Sequence, residues 1–343
     1  DATTSACTMG TPKIDVVSVQ VRKRGGGAPI KGDGLEIEVE LQNAGGGAMV
    51  DVTPELDSMR FSDYSGVPLA SKSALACPGT TRVIVEGGPF LAKDKKHYAL
   101  GSGRYTVSAV KVDDTRDSEL TGGSFSIATS GALLVPVVYD QRYLDGISGK
   151  PFSTPEAYLE ASFTRPNQIF TPSGSDPDGA GKFQDFPKGF DQMMKVTHHF
   201  RSFPGFPGED FTDEGWCEDA AAYGTQALGL AKPWLSPSGS TRPDRHGFDY
   251  LIALSPDLGG GVACGWLDVQ VSGFINRDLD RQAVIAVHES GHIFGAPHCD
   301  DVGNGSGGSL QGYVMCSGEK HANYPKNFVW HATSIAQMKS HWD

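Results

Sequence analysis

The chain of 343 residues is 38% apolar and 20% charged, the balance of a globular protein long enough to bury two separate cores. Its formal net charge of −12 disfavours nucleic acid or an anionic membrane as a partner, because both select basic surface. No apolar run reaches the roughly eighteen residues of a membrane span, so none is expected.

Residues 1–130 are expected to form an all-β sandwich, an accessory domain. Apolar and polar residues alternate in IDVVSVQVRK, GLEIEVELQN, TRVIVEGG, GRYTVSAVKV and GSFSIATS. In LEIEVELQ, Leu35, Ile37, Val39 and Leu41 fall on one face and Glu36, Glu38 and Glu40 on the other, which describes a strand with one wet side. Glycine-rich breaks separate these runs at spacings suited to an antiparallel sandwich. His97, in the lysine-rich stretch KDKKHY, reads as a solvated side chain without chemistry.

Residues 131–343 change character and predict an α/β (α+β) domain. LLVPVVYD is a continuous apolar run, as in a strand covered on both faces. A helix is expected in TPEAYLEASF, opened by Thr154 with Pro155 at its first position. The Pro-, Gly- and Asp-rich stretch from Asn167 to Lys188 reads as surface loop. Its aspartates have the chemistry for calcium, but their spacing misses the EF-hand pattern. Further helices are expected in FDQMMKVTHHFRSF and TDEGWCEDAAAYGTQALG, a buried strand in HGFDYLIALSPD, and an edge strand in GGGVACGWLDVQVSGFIN. An edge strand can take an extended peptide by main-chain hydrogen bonds.

The chemistry concentrates in HESGHIFGAPHCD, at the end of a helix that begins near Asn276 or Asp278. His288 and His292 stand four positions apart and project from one helical face, so they can share a metal ion. Glu289 follows the first histidine and lies beside such an ion as a partner for water. His298 completes a three-histidine set if the chain turns back after His292, and Gly295 is the residue suited to that turn. Three imidazoles leave a fourth coordination position for water, the catalytic arrangement of zinc. Met315 stands seventeen residues past His298 in the Gly-flanked segment GYVMC. TSIAQMKSHW reads as a closing helix capped by Thr333 or Ser334.

The six cysteines, Cys7, Cys77, Cys217, Cys264, Cys299 and Cys316, include no Cys-x-x-Cys pair. Disulfides in an oxidising compartment, and hence a secreted, mature chain, are expected. Cys7 and Cys77 are expected to pair. The other four allow three pairings, among which the sequence does not decide.

His288, Glu289, His292, Gly295 and His298, with Met315 beyond them, resemble the extended zinc signature and methionine turn of the metzincin metalloendopeptidases. GHIFGAPHCD is most similar to the reprolysin (adamalysin) branch and its bacterial relatives. The phrase LEIEVELQNAG, with GRYTVSAVKVDD, resembles bacterial immunoglobulin-like modules of the cell-adhesion-related type. The metzincin resemblance implies a mixed sheet whose edge strand runs antiparallel to substrate, a zinc helix beneath the cleft and Met315 under the histidines. It also implies one catalytic Zn2+ bound by His288, His292 and His298, with Glu289 as general base of a zinc-dependent endopeptidase. A protein or peptide substrate and a monomeric state accompany that expectation. Of the three pairings open to the other four cysteines, Cys217 with Cys264 and Cys299 with Cys316 are the pairs that fit this resemblance. Ser317 stands where some branches carry a tyrosine ligand, and Tyr313 and Tyr324 do not match that place. The rival reading is a non-catalytic adhesin or matrix-binding protein with a structural zinc site.

Overall fold

A computed structural model of the chain describes residues 7–58, 66–93, 96–113, 117–118, 123–131, 133–170, 196–202, 215–230, 233–235, 247–255, 258, 260–273, 279–298, 314–315, 334, 336–338 and 340. It is a β-rich protein of two compact units, one comprising Asp1–Gly131 with Asp244–Gly247, the other Ala132–Pro243 with Phe248–Asp343.

The first unit contains β1 (Ile14–Lys23), β2 (Ile30–Lys31), β3 (Leu35–Asn43), β4 (Ala48–Ser58), β5 (Val67–Pro68), β6 (Lys72–Ala76), β7 (Gly79–Gly87), β8 (Phe90–Lys93), β9 (Lys96–Ala99), β10 (Gly103–Val112), β11 (Asp117–Ser118) and β12 (Ser124–Gly131). Strands β1, β3 and β7 form one antiparallel sheet in the order β1-β3-β7. A second sheet runs β2-β12-β10-β4-β5, with β6 and β11 added at its sides. Between them lies one apolar core, to which Leu35, Ile37, Val39 and Leu41 contribute fully buried side chains. Their glutamate neighbours face outward and pair across the sheet: Arg22 reaches Glu36 at 3.0 Å and Glu38 at 3.2 Å, and Arg82 reaches Glu40 at 3.3 Å. A disulfide joins Cys7 to Cys77. Two features depart from the sequence reading. AMVDVTPELDS is an eleven-residue strand, β4, although Pro54 interrupts its donors. His97 is buried in β9, which pairs antiparallel with β8.

The second unit contains β13 (Leu133–Tyr139), α1 (Gln141–Ile147), α2 (Pro155–Phe170), β14 (Val196–Ser202), α3 (Trp216–Ala227), β15 (Leu251–Ser255), β16 (Gly261–Cys264), β17 (Val269–Gly273) and α4 (Leu279–Ile293). Its five-stranded sheet runs β14-β13-β15-β17-β16, parallel except at the edge, where β16 is antiparallel to β17. Every residue of β13, β15 and β17 is buried. Helices cover both faces. Val135, Val137, Tyr139, Ile252 and Leu254 enter a core shared with α1, α2 and α4. Leu251, on the opposite pleat, packs so closely on α3 that a methyl added at Gly224 would stand 2.4 Å from its Cδ2. Parallel neighbours with both faces covered explain the unbroken apolar text of these strands.

The caps are local and legible. Thr154 accepts a hydrogen bond from the Ala157 amide at 3.2 Å at the start of α2, and Asp140 accepts one from the Tyr143 amide at 2.9 Å at the start of α1. The helix α1 itself is not anticipated by periodicity, being only seven residues long. Two expectations are corrected. VTHHFRS is the strand β14 and not a helix, since its β-branched and aromatic residues pair along the whole length of β13. The expected single edge strand is two strands, β16 and β17, separated by a 3-10 turn over Gly265–Leu267. Asp268 closes that turn in the left-handed region at φ 48°, and the chain then re-enters the sheet interior. Most of the expected loop between Asn167 and Lys188, with its aspartates, lies outside the described residues, as do Thr333, Asn276 and Asp278. Among the described residues no helix is long and apolar enough to cross a membrane.

Candidate metal centre

The central stretch AVIAV of helix α4 is apolar nearly all round, so the helix packs against the sheet and carries its polar residues with it. Ser290 fixes how it sits. Its hydroxyl lies 2.9 Å from Gln270 Oε1 on β17 and 2.8 Å from the Ala286 carbonyl, and 3.0 Å from the Tyr250 hydroxyl. Burial holds the Tyr250 hydroxyl well above its ordinary titration range, so it keeps its proton. The Tyr250 ring also meets Phe294 edge to face at 5.7 Å. These contacts fix the rotation of the helix about its own axis and therefore the direction of its histidines. Ser290, Gln270 and Tyr250 were not anticipated as site residues. The available signal was polarity out of place, a glutamine within VQVSG and a serine between two histidines.

The helix ends at Gly295, whose φ of 83° suits a residue without Cβ. The Gly295 amide donates to the His292 carbonyl at 2.9 Å and the Ala296 amide to the Gly291 carbonyl at 2.9 Å, the paired bonds of a Schellman cap. The reversal brings His298 back over the helix. Its Nε2 lies 3.1 Å from His292 Nε2, which in turn lies 3.2 Å from His288 Nε2. One ligand atom from each of the three histidines can be chosen so that all lie within 4.8 Å of one another.

The outer nitrogens decide what those inner atoms are. His288 Nδ1 lies 2.6 Å from the Val314 carbonyl and His292 Nδ1 lies 2.7 Å from the Ala296 carbonyl. A carbonyl only accepts, so each Nδ1 carries the hydrogen and each Nε2 of the neutral ring presents a lone pair. Two lone pairs aimed at one point repel, and a cation at that point turns the repulsion into binding. Backbone acceptors that orient ligating imidazoles are the usual outer support of a metal site. The three histidines therefore fit a metal ion. Met315, fully buried, follows the Val314 carbonyl that orients His288. The segment Val314–Met315 thus reaches the site through its backbone.

Glu289 is buried at 6% exposure, and burial alone raises its carboxyl to about 8. A neighbouring divalent cation acts in the opposite direction, favouring the carboxylate. The glutamate lies under the start of the edge strand: a methyl added at Gly261 would stand 2.5 Å from Glu289 Cγ and 2.6 Å from its Oε1. Only glycine leaves room there for the carboxylate. At the other end of β16, Cys264 is joined by a disulfide to Cys217 on α3. Cys299, Cys316, Ser317, Tyr313 and Tyr324 lie outside the described residues.

No protein-family model matches the chain, and no curated protein is significantly similar to it. Some solved structures align with part of it. A β-glucosidase from Erythrobacter marinus is 15% identical over 34% of this chain and 16% of its own, with a TM-score of 0.25. A β-glucosidase involved in saponin metabolism from intestinal bacteria is 16% identical over 34% of this chain and 16% of its own, with a TM-score of 0.26. The CARDB domain of a Pyrococcus furiosus protein in complex with di-metal ions is 14% identical over 36% of this chain and 93% of its own, with a TM-score of 0.23. The chain thus spans about a sixth of either glucosidase, and at these scores the likenesses assign neither fold nor function.

Proposed function

We propose that the protein is a secreted zinc-dependent endopeptidase of the metzincin kind, its second unit being the catalytic domain. The observation that carries this reading is the convergence of three imidazole Nε2 atoms beside a buried glutamate, directly under an edge strand. Adjacent nitrogens stand 3.1 and 3.2 Å apart, close to the ~3.3 Å between nitrogens each about 2.0–2.1 Å from a tetrahedral zinc. Among the divalent cations that accept imidazole, zinc suits a three-histidine set with a position left for water. The mixed sheet is compatible with the one that the metzincin resemblance implies, and its edge strand β16 lies beside the histidine helix. The two disulfides accord with an oxidising compartment.

Zinc bound there supplies Lewis acidity, which polarises a peptide carbonyl and acidifies water. The chain's own residues supply the rest. His288, His292 and His298 would hold the ion, the first two in the orientation set by the Val314 and Ala296 carbonyls. Glu289 accepts a proton from the attacking water and delivers it to the departing amine. Its carboxylate lies against Gly261 at the start of the edge strand, where an extended peptide paired with β16 would present its carbonyl. A structural metal site in an adhesin would give no reason for a buried carboxylate at this place.

The test is Glu289→Gln, which keeps the shape of the side chain and removes its basicity. Zinc content, measured on the purified protein, should stay at one ion per chain while cleavage of a denatured protein substrate falls by about 10²- to 10⁴-fold. Unchanged cleavage would overturn the assignment.

A further inference from the structure

The turn that follows the edge strand presents Trp266 at 69% exposure, the one large hydrophobic side chain so exposed among the described residues of the second unit. A lone exposed apolar residue is ordinary on a protein surface. This one is held differently. Cys264, two residues before it, is tied to α3 by the disulfide with Cys217. Leu267, directly after it, is 2% exposed, and its carbonyl accepts a hydrogen bond from the buried Trp234 indole at 3.1 Å. Gly265 lies against the metal-ligand helix, where an added methyl would stand 3.4 Å from the His292 carbonyl. The indole is thus exposed on a turn fixed at both sides and seated on the end of α4.

Its position along the edge strand is also defined. Glu289 lies against Gly261, the first residue of β16, so the reacting carbonyl belongs beside that end of the strand. Among the described residues nothing pairs with the outer edge of β16. An added peptide finds its more stable pairing antiparallel to β16, so its amino-terminal side runs toward Cys264 and the turn. At about 3.3 Å per residue, Trp266 is reached about three or four residues before the scissile bond.

We propose that Trp266 is a specificity-determining residue, an aromatic platform that selects an apolar or aromatic side chain about three or four residues to the amino side of the cleaved bond. This rests on the endopeptidase reading. A flat ring offers area to aliphatic and aromatic side chains alike, and a rigid turn presents it without ordering a loop on binding.

The test is cleavage-site profiling of the full zinc-loaded chain on a peptide library, followed by kcat/KM for matched peptides carrying Phe, Leu or Gly at the selected position. Wild type should prefer Phe and Leu over Gly by about tenfold, the scale of one good aromatic contact. In Trp266→Ala that ratio should fall toward one, and in Trp266→Phe it should be largely retained, which separates loss of the platform from misfolding. A ratio unchanged in Trp266→Ala, or a preference found only on the carboxyl side of the bond, overturns this proposal while leaving the endopeptidase reading in place. A zinc-loaded wild type that cleaves no peptide overturns both.

Discussion

Strands β3 and β13 sit in different units and are written in different codes. In β3 every second residue is buried and the glutamates between them face water, paired with Arg22 and Arg82. In β13 all seven residues are buried, because helices cover both faces of its sheet. The difference is one of layers. A two-layer sandwich has one dry face per sheet and gains stability there, but it offers few places where a polar group is held from every side. The three-layer unit has two dry faces, and at their edge it can keep a carboxylate and three imidazoles in fixed directions. Chemistry that needs a desolvated group belongs to the second code.

Each unit nevertheless buries a histidine, which gives the comparison its hardest test. His97 and His288 are both 9% exposed or less. Among the described residues, His288 is the one that lies in a cluster of histidines. His292→Ala removes the central member of the set, the one whose Nε2 lies within 3.2 Å of both others. Bound zinc and peptide cleavage should both be lost, as read by metal analysis and by turnover. His97→Asn should leave zinc content at the wild-type value even if it lowers thermal stability. Loss of zinc in the His97 variant would erase the distinction between the units.

What the sequence made legible follows the same division. The alternation at Leu35 to Leu41 names the core of the sandwich because water touches one face only, and the i, i+4 spacing of His288 and His292 is a direct statement about a helix. Gly295 was readable because a left-handed turn leaves few other choices. VTHHFRS was misread because strand β14 owes its conformation to seven pairings with β13, which no local pattern records. His97 was misread because neighbouring lysines suggest solvent, while the ring is buried in β9, a strand paired with Phe90–Lys93. The outer support of the metal centre was least legible. Val314 and Ala296 act through backbone carbonyls, and a carbonyl has no signature in a sequence.

A smaller effect follows from keeping Glu289 dry. In metal-free protein its carboxyl titrates near 8, against an ordinary value of 4.5. Between those values the folded chain holds a proton that the unfolded chain has released, so stability falls as pH rises through the window. The full span is on the order of 5 kcal/mol, at about 1.4 kcal/mol for each tenfold change in proton affinity. Urea unfolding of chelator-treated protein from about pH 5 to about pH 8.5 should show this decline, and Glu289→Gln should flatten it. Restoring zinc should also reduce the slope, because the cation favours the carboxylate that burial opposes. A slope unaffected by Glu289→Gln would mean that the glutamate is not desolvated in solution.

The smallest effect is expected on the wet face of the sandwich. Arg22 bridges Glu36 and Glu38 across β1 and β3, yet its own side chain is 42% exposed. Water already solvates both partners there, so Arg22→Ala should cost only about 0.2–1 kcal/mol, less in added salt. The loss leaves the glutamates free to turn to solvent and leaves the apolar side of β3 untouched. Glu36 and Glu38 are the more enclosed partners, at 20% and 19% exposure, so a loss above that range would mean their carboxylates depend on the guanidinium. Strand β3 would then resemble the second unit more than its alternation implies, and double substitution of Arg22 with Glu36 would recover part of the loss.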